Sequence, residues 1–183
     1  QIELIKLKMQ LNGIVSNRDL PKMNQPQFIK GKFNVSNITW TDVFEKLEHD
    51  REEKTFTVIT PKIKEEDILY ETEKNIMHEG LMNTIVCEGV YTPKNMLPLF
   101  KYMNTQYGMV EFHQYISFNI QSSTFGNHDD TDDVIIVPII GRIGYHVKGL
   151  GKVEMNPGDM LYIPKYVHHE PILYGSRATL SFS

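Results

Sequence analysis

The sequence predicts a mainly β protein, a sandwich or barrel of short strands with a mixed helical and strand region in front of it. From Phe112 onward, short runs of β-branched and aromatic residues alternate with turn signals, the clearest being Asn156-Pro157-Gly158-Asp159. Before Phe112, helical periodicity and strand-like runs alternate instead. We therefore expect one domain over residues 1–183, with a flank at 1–110 and a barrel core at 111–183.

Composition is that of an ordinary globular protein. The 183 residues are 40% hydrophobic and 23% charged, and 19 basic against 23 acidic residues give a net charge of −4. This balance offers no electrostatic footprint for nucleic acid. No apolar run is long enough to span a bilayer, so we expect no membrane partner. Cys87 is the only cysteine, which excludes an internal disulfide and favours a cytoplasmic location. The oligomeric state stays open.

The flank contains one well-defined helix start at Thr39. Apolar residues then follow at the spacing of a one-sided helix, Trp40, Val43, Phe44 and Leu47. The other predicted elements of the flank are strands at 55–60 and 83–91 and helices at 64–79 and from about 95. The predicted strands of the core are 113–121, 133–140, 142–147, 152–155, 160–163 and 177–182.

Two of the seven histidines stand out by their surroundings. His128 follows a predicted strand and begins the spacing His128-Asp129-Asp130. On an extended segment, residues i and i+2 point to the same face, so His128 and Asp130 can hold one ion from one side. Imidazole and carboxylate are ligands of a non-haem iron site. The alternative to a metal-binding role is a solvated acidic loop, because the segment from Asp129 to Asp133 includes four carboxylates.

A second motif lies further along the chain. The run from Gly158 to Pro164 predicts a turn, a strand and a sharp stop, and it precedes the histidine pair 168–169. It resembles the second motif of the cupin superfamily, in which the ligand histidine comes five residues after the proline. In this chain that position is His169, and Tyr166 stands where the family pattern has glycine.

The chain resembles the JmjC-type Fe(II)/2-oxoglutarate oxygenases still more closely, particularly the small bacterial and viral relatives of the ribosomal-protein hydroxylases. The matching blocks cover about residues 113 to 183: 116–120, Gly126-x-His128-x-Asp130-x-x-Asp133-Val134, Gly141-Arg142, 158–164 and His169-Glu170. The resemblance implies a double-stranded β-helix, the cupin or jelly-roll barrel.

The resemblance also implies catalytic Fe(II) on His128, Asp130 and His169, and 2-oxoglutarate as cosubstrate with its far carboxylate on a basic side chain. The family position for that side chain is Ile143 here. Arg177 on the last predicted strand is the replacement we favour, with Asn119 as a polar partner. The alternative is Arg142, turned inward by a bulge.

The expected function is thus an Fe(II)/2-oxoglutarate-dependent dioxygenase that uses oxygen to hydroxylate a protein side chain or another substrate. Three alternatives remain: a cupin with other chemistry, such as an isomerase, a non-catalytic metal-binding recognition module, and a β-sandwich with incidental histidines. The prime substrate is not defined by the sequence.

Overall fold

The computed structural model describes residues 13–17, 19–59 and 83–183, so the predicted helix at 64–79 lies outside the described residues. Within these ranges the chain forms two helices and ten strands. The helices are α1 (Trp40–Glu53) and α2 (Leu97–Tyr107). The strands are β1 (Gln27–Ile29), β2 (Phe56–Ile59), β3 (Thr84–Cys87), β4 (Phe112–Ser117), β5 (Val134–Ile140), β6 (Ile143–Val147), β7 (Gly151–Met155), β8 (Met160–Ile163), β9 (His169–Leu173) and β10 (Arg177–Phe182).

The strands form two antiparallel sheets. The larger has the order β1-β8-β5-β10-β4-β3-β2, and the smaller has the order β7-β6-β9. This mainly β architecture is the double-stranded β-helix that the sequence predicts. Strands β1, β2 and β3 come from the flank and extend the large sheet at both edges, so the flank and the core share one sheet.

Each face of the large sheet covers a different core. Ile135, Val137 and Ile139 of β5 pack on the helix side with Leu99 and Met103 of α2. The alternate residues of β5 pack on the other side against the small sheet, in a cluster of Val134, Ile136, Ile143, Tyr145, Val147, Met155, Leu161 and Ile163. This is the period of two expected of a strand that is buried on both faces.

Helix α1 begins as the sequence predicts. The Asp42 carboxylate accepts the backbone N–H of Thr39 at 2.8 Å and completes a capping box. One turn further on, the buried Lys46 ammonium pairs with Asp50 at 3.2 Å and donates to the carbonyl of Gly89 at 2.7 Å. These contacts attach the segment after β3 to the helix.

The turn before β8 requires its glycine. Gly158 has φ of 89°, and a Cβ placed on it would lie 2.2 Å from the carbonyl oxygen of Phe33. The Asp159 side chain accepts the N–H groups of Asn156 at 2.7 Å and Gly31 at 2.6 Å. The turn therefore connects the core to the N-terminal segment.

Some predicted boundaries are wrong. The strand predicted at 113–121 ends at Ser117, and strands β1 and β9 were not predicted. Pro171 lies inside β9 and β1 has only three residues, so neither carries the sequence signal of a strand. In the described part of the chain, no helix is long and apolar enough to cross a membrane.

Candidate metal centre

Backbone pairing brings His128 and His169 together. The N–H of His128 donates to the carbonyl of His169 at 3.0 Å, and the N–H of His169 donates back at 2.8 Å. This antiparallel bridge joins the loop between β4 and β5 to the first residue of β9. As a result the two imidazole centroids are 4.3 Å apart.

Asp130 faces both rings. Its carboxylate oxygens lie 3.9 Å from Nε2 of His128 and 3.5 Å from Nε2 of His169. One ligand atom from each of the three residues lies within 4.8 Å of the others. The spacing of two between His128 and Asp130 therefore places both side chains on one side, as the sequence predicts. We call these three residues the triad.

The second nitrogen of each imidazole is held by the main chain. Nδ1 of His128 is 2.9 Å from the carbonyl of Gly126, and Nδ1 of His169 is 3.0 Å from the carbonyl of Val167. Because a carbonyl oxygen can only accept, each Nδ1 carries the proton. Both unprotonated Nε2 atoms then lie within 4.0 Å of the Asp130 carboxylate, and a backbone hydrogen bond at the other nitrogen is typical of metal-binding histidines.

Burial favours the neutral form of His169, which is 3% exposed. Loss of hydration lowers the pKa of His169, against the opposing effect of its hydrogen bond to Val167. A neutral imidazole is the form that binds a metal.

The turn before His169 adopts the conformation that glycine favours, although Tyr166 occupies it. Tyr166 has φ of 63°, and its N–H donates to the carbonyl of Asp130 at 2.8 Å. The backbone conformation that glycine favours at this position is therefore present with tyrosine in its place. His168 is exposed, while its neighbour His169 is buried and belongs to the triad.

The triad opens into a cavity of about 510 Å³ that is lined by residues of both sheets. Arg177 lies in its wall and is 2% exposed. Its Nε has no hydrogen-bond partner, and Nη1 is 3.5 Å from the carbonyl of Tyr115. Among the described residues, no carboxylate lies within 4.0 Å of this guanidinium. Burial lowers the pKa of Arg177.

The other two residues predicted to hold the cosubstrate, Arg142 and Asn119, do not line the cavity. Arg142 is exposed, and its guanidinium stacks 4.9 Å from the ring of Tyr174, away from the cavity wall. Ile143, at the family's anchor position, is fully buried in the hydrophobic cluster between the large and the small sheet. Asn119 lies beyond the end of β4, so the strand predicted to carry it is wrong. Its side-chain oxygen accepts the N–H of Gln121 at 2.9 Å, and the cavity lining does not include it.

Sequence reasoning missed three aromatic residues in the cavity wall, Tyr115, Phe125 and Tyr145. One signal could have found Tyr145. The family's anchor position, Ile143, faces inward, and strand alternation makes Tyr145 face the same way. Phe125 packs edge-on against His128, with ring centroids 5.6 Å apart.

Comparison with solved structures supports the fold. The ribosomal oxygenase YcfD of Escherichia coli is similar over 93% of this chain, with a TM-score of 0.68 and 19% identity. YcfD in complex with cobalt and 2-oxoglutarate is similar over 88% of the chain, with a TM-score of 0.65 and 18% identity. YcfD with cobalt and succinic acid gives a TM-score of 0.63 at 18% identity, again over 88%.

This chain spans about half the length of those chains, 48% to 52% of them. No family model and no curated protein sequence matches it. At this level of identity the likeness shows the fold alone. The double-stranded β-helix that the sequence resemblance implies is confirmed.

Proposed function

We propose that this protein is an Fe(II)- and 2-oxoglutarate-dependent dioxygenase that hydroxylates a protein side chain or another, unidentified substrate. One observation carries the proposal. His128, Asp130 and His169 converge with both Nε2 atoms near the carboxylate, in a cavity whose wall also holds a buried arginine that has no acidic partner among the described residues. The first group suits a metal, and the second suits an anion.

The donor set fits Fe(II). Two neutral imidazoles and one carboxylate on one side of an ion leave its other positions open to small ligands. When bound, Fe(II) would activate oxygen with 2-oxoglutarate as the two-electron reductant, so that one oxygen atom would enter the substrate and the other succinate, with release of carbon dioxide. The residues of the chain hold and orient these groups. Gly126 and Val167 fix the imidazoles through their carbonyls.

Arg177 is the proposed anchor for the far carboxylate of 2-oxoglutarate. It is buried in the cavity wall, whereas Arg142 is exposed and stacked on Tyr174. A planar guanidinium can form a bidentate contact with a carboxylate. The role predicted for Asn119 stays a prediction, and so does the cytoplasmic location.

A protein side chain is the favoured prime substrate because the sequence resembles the ribosomal-protein hydroxylases, and the similar Escherichia coli structures are of a ribosomal oxygenase. The second candidate is a metal-binding cupin without 2-oxoglutarate chemistry, a recognition module or an isomerase. The buried Ile143 at the family's anchor position favours it.

Turnover separates the two candidates. We expect purified protein with Fe(II) to convert 2-oxoglutarate to succinate, and Asp130→Ala to abolish this reaction while the melting temperature stays within a few degrees. Asp129→Ala is the matched control, because Asp129 is exposed, adjacent and outside the triad. Failure of the wild-type protein to form succinate would favour the recognition module. Equal activity of the two variants would exclude Asp130 as a ligand.

A further inference from the structure

The triad comes from two segments of the chain, 128–133 and 164–169, which hydrogen bonds join side by side. Two contacts use the backbone alone. One is the bridge between the two histidines of the triad, and in the other the N–H of Tyr166 donates to the carbonyl of Asp130 at 2.8 Å. A third contact uses a side chain, that of Asp133, and can therefore be changed by substitution.

The Asp133 carboxylate accepts a hydrogen bond at each of its oxygens. Oδ1 accepts the backbone N–H of Lys165 at 2.9 Å, and Oδ2 accepts the hydroxyl of Tyr162 at 2.9 Å. Lys165 lies in the turn before His169, and Tyr162 lies in β8. This one side chain therefore fixes the first segment both to the turn and to the strand that precedes the turn.

The hydroxyl of Tyr162 connects this carboxylate to the interior of the protein. Tyr162 is fully buried, and its hydroxyl also lies 2.9 Å from the carbonyl of Met23 in the N-terminal segment. Burial and, to a smaller extent, the hydrogen bond to Asp133 raise the pKa of Tyr162, so the hydroxyl keeps its proton. It shares that one proton between two acceptors.

The stretch between Asp130 and Asp133 depends on such a contact. Thr131 and Asp132 are both exposed, so burial does not hold them in place. The Asp130 carboxylate nevertheless lies 3.5 Å from Nε2 of His169, on the other segment. Metal–ligand distances in proteins vary by only about 0.2 Å, so a small shift between the two segments would weaken binding of an ion.

We propose that Asp133 is a positioning residue of the metal centre, whose carboxylate holds the segment 128–133 against the turn 164–169 and so places Asp130 opposite His169. This inference rests on the proposed function, because it requires that a metal binds the triad. Asp133 acts by accepting hydrogen bonds, and not as a ligand or through its charge. Partners that orient metal ligands in this way change metal affinity about 10–100-fold.

The test separates the acceptor role of Asp133 from its charge. Asp133→Ala removes both acceptor atoms. Asp133→Asn keeps an oxygen for the N–H of Lys165, and its amide can donate to the oxygen of Tyr162 while that hydroxyl donates to Met23. Asp132→Ala is the matched control, since it removes an adjacent, exposed carboxylate that takes no part in these contacts.

Electron paramagnetic resonance of free Mn(II) measures the metal affinity of each variant without turnover, and the absorption spectrum of bound Co(II) reports the ligand geometry. We expect Asp133→Ala to bind Mn(II) about 10–100-fold more weakly than Asp132→Ala and to alter the Co(II) spectrum. Asp133→Asn should bind within about threefold of Asp132→Ala, with the wild-type spectrum, because both lose one negative charge.

The melting temperature shows whether each variant is folded. If Asp133→Ala does not fold, Tyr162→Phe tests the same network, since it removes the hydroxyl and keeps the buried ring. We expect Tyr162→Phe to bind Mn(II) about tenfold more weakly than the wild type. Wild-type affinity in this variant would then overturn the proposal.

Two further results would overturn the positioning role and leave the proposed function intact. One is an equal Mn(II) affinity of Asp133→Ala and Asp132→Ala. The other is an Asp133→Asn variant as weak as Asp133→Ala, since the carboxylate would then act through its charge or as a ligand. A wild-type protein that binds no Mn(II) would contradict both the role and the proposed function. The expected affinities in a protein that never forms succinate would support Asp133 and contradict the oxygenase.

Discussion

The triad and Arg177, which line the same cavity, differ in how well the surrounding protein satisfies their hydrogen bonds. At the triad, main-chain hydrogen bonds fix both histidine backbones and both Nδ1 atoms. At Arg177, a cation is buried with one long hydrogen bond, to the carbonyl of Tyr115, from the part of the chain that the structure describes. The triad is thus prepared for its ligand at little energetic cost. The Arg177 side stores an unfavourable energy that a ligand can relieve.

The largest expected effect concerns the triad. His169→Ala should abolish binding of Mn(II) or Fe(II), because it removes one of three ligands that face each other. The adjacent His168→Ala should bind metal as the wild type does, since His168 is exposed. Calorimetric titration of both variants with Mn(II) checks this. Loss of metal in His168→Ala with retention in His169→Ala would reverse the assignment.

The next effect concerns stability at Arg177. Arg177→Met replaces a buried, partner-poor cation by an apolar side chain of similar length. We expect the free energy of unfolding of the ligand-free protein to rise by about 1–3 kcal/mol, while 2-oxoglutarate binding is lost. Urea denaturation measures the stability. Arg142→Met is the control, and its exposed position should limit the change to about 0.5 kcal/mol. Destabilisation by Arg177→Met would show that the guanidinium is satisfied within the protein.

A smaller effect tests how far the triad depends on backbone alone. Tyr166→Gly removes the strain of a left-handed backbone conformation. We expect the free energy of unfolding to rise by about 0.5–1 kcal/mol, because the strain removed is larger than the entropic cost of ordering glycine on folding. Metal affinity should not change, because the Tyr166 contact with Asp130 uses the backbone N–H. Thermal unfolding with and without Mn(II) measures both quantities.

Lys54→Gly is the matched variant for Tyr166→Gly, since Lys54 has φ of 59° at the end of α1, a position outside the triad. A similar gain in both variants supports the strain argument. A loss of metal affinity in Tyr166→Gly alone would mean that the tyrosine side chain helps to hold the triad.

The smallest effect is a pH dependence at Tyr145. Burial raises its folded-state pKa from about 10 to about 12, with Arg177 opposing the rise. The unfolded chain therefore loses the proton first, and the stability that this group contributes is lost as pH rises above 10. We expect the free energy of unfolding of wild type to fall more steeply than that of Tyr145→Phe between pH 10 and 12. Parallel curves would place the phenol in contact with water.

Much of the geometry of the candidate metal centre could be predicted from the sequence because its signals are local. The spacing from His128 to Asp130 determines which side chains share a face of the chain, and the run from Gly158 to Pro164 determines a turn and a strand. Both depend only on residues close together in sequence. The structure brings both motifs together. The end of the strand predicted to carry Asn119 was misplaced for a local reason too, since β4 ends at Ser117 and the chain then turns. The role of Asn119 itself stays a prediction.

The anion side could not be predicted in the same way. The sequence favours Arg177 over Arg142, but which of the two lines the cavity depends on how β10 and the turn before β6 lie in the folded sheets. The same holds for the meeting of Tyr115 and Tyr145, which belong to strands paired in separate sheets.

By itself, then, the sequence determined a mainly β sandwich or barrel, the start of α1 and the glycine turn before β8, while its resemblance to the cupin motif indicated His169 rather than His168 as the ligand candidate. These depend on strand alternation, capping and turn conformation, which act over a few residues. Only the tertiary structure decided which buried cation lacks a partner and which phenols accompany it. Burial and hydrogen-bond satisfaction are properties of packed sheets, and they become defined only when distant strands meet.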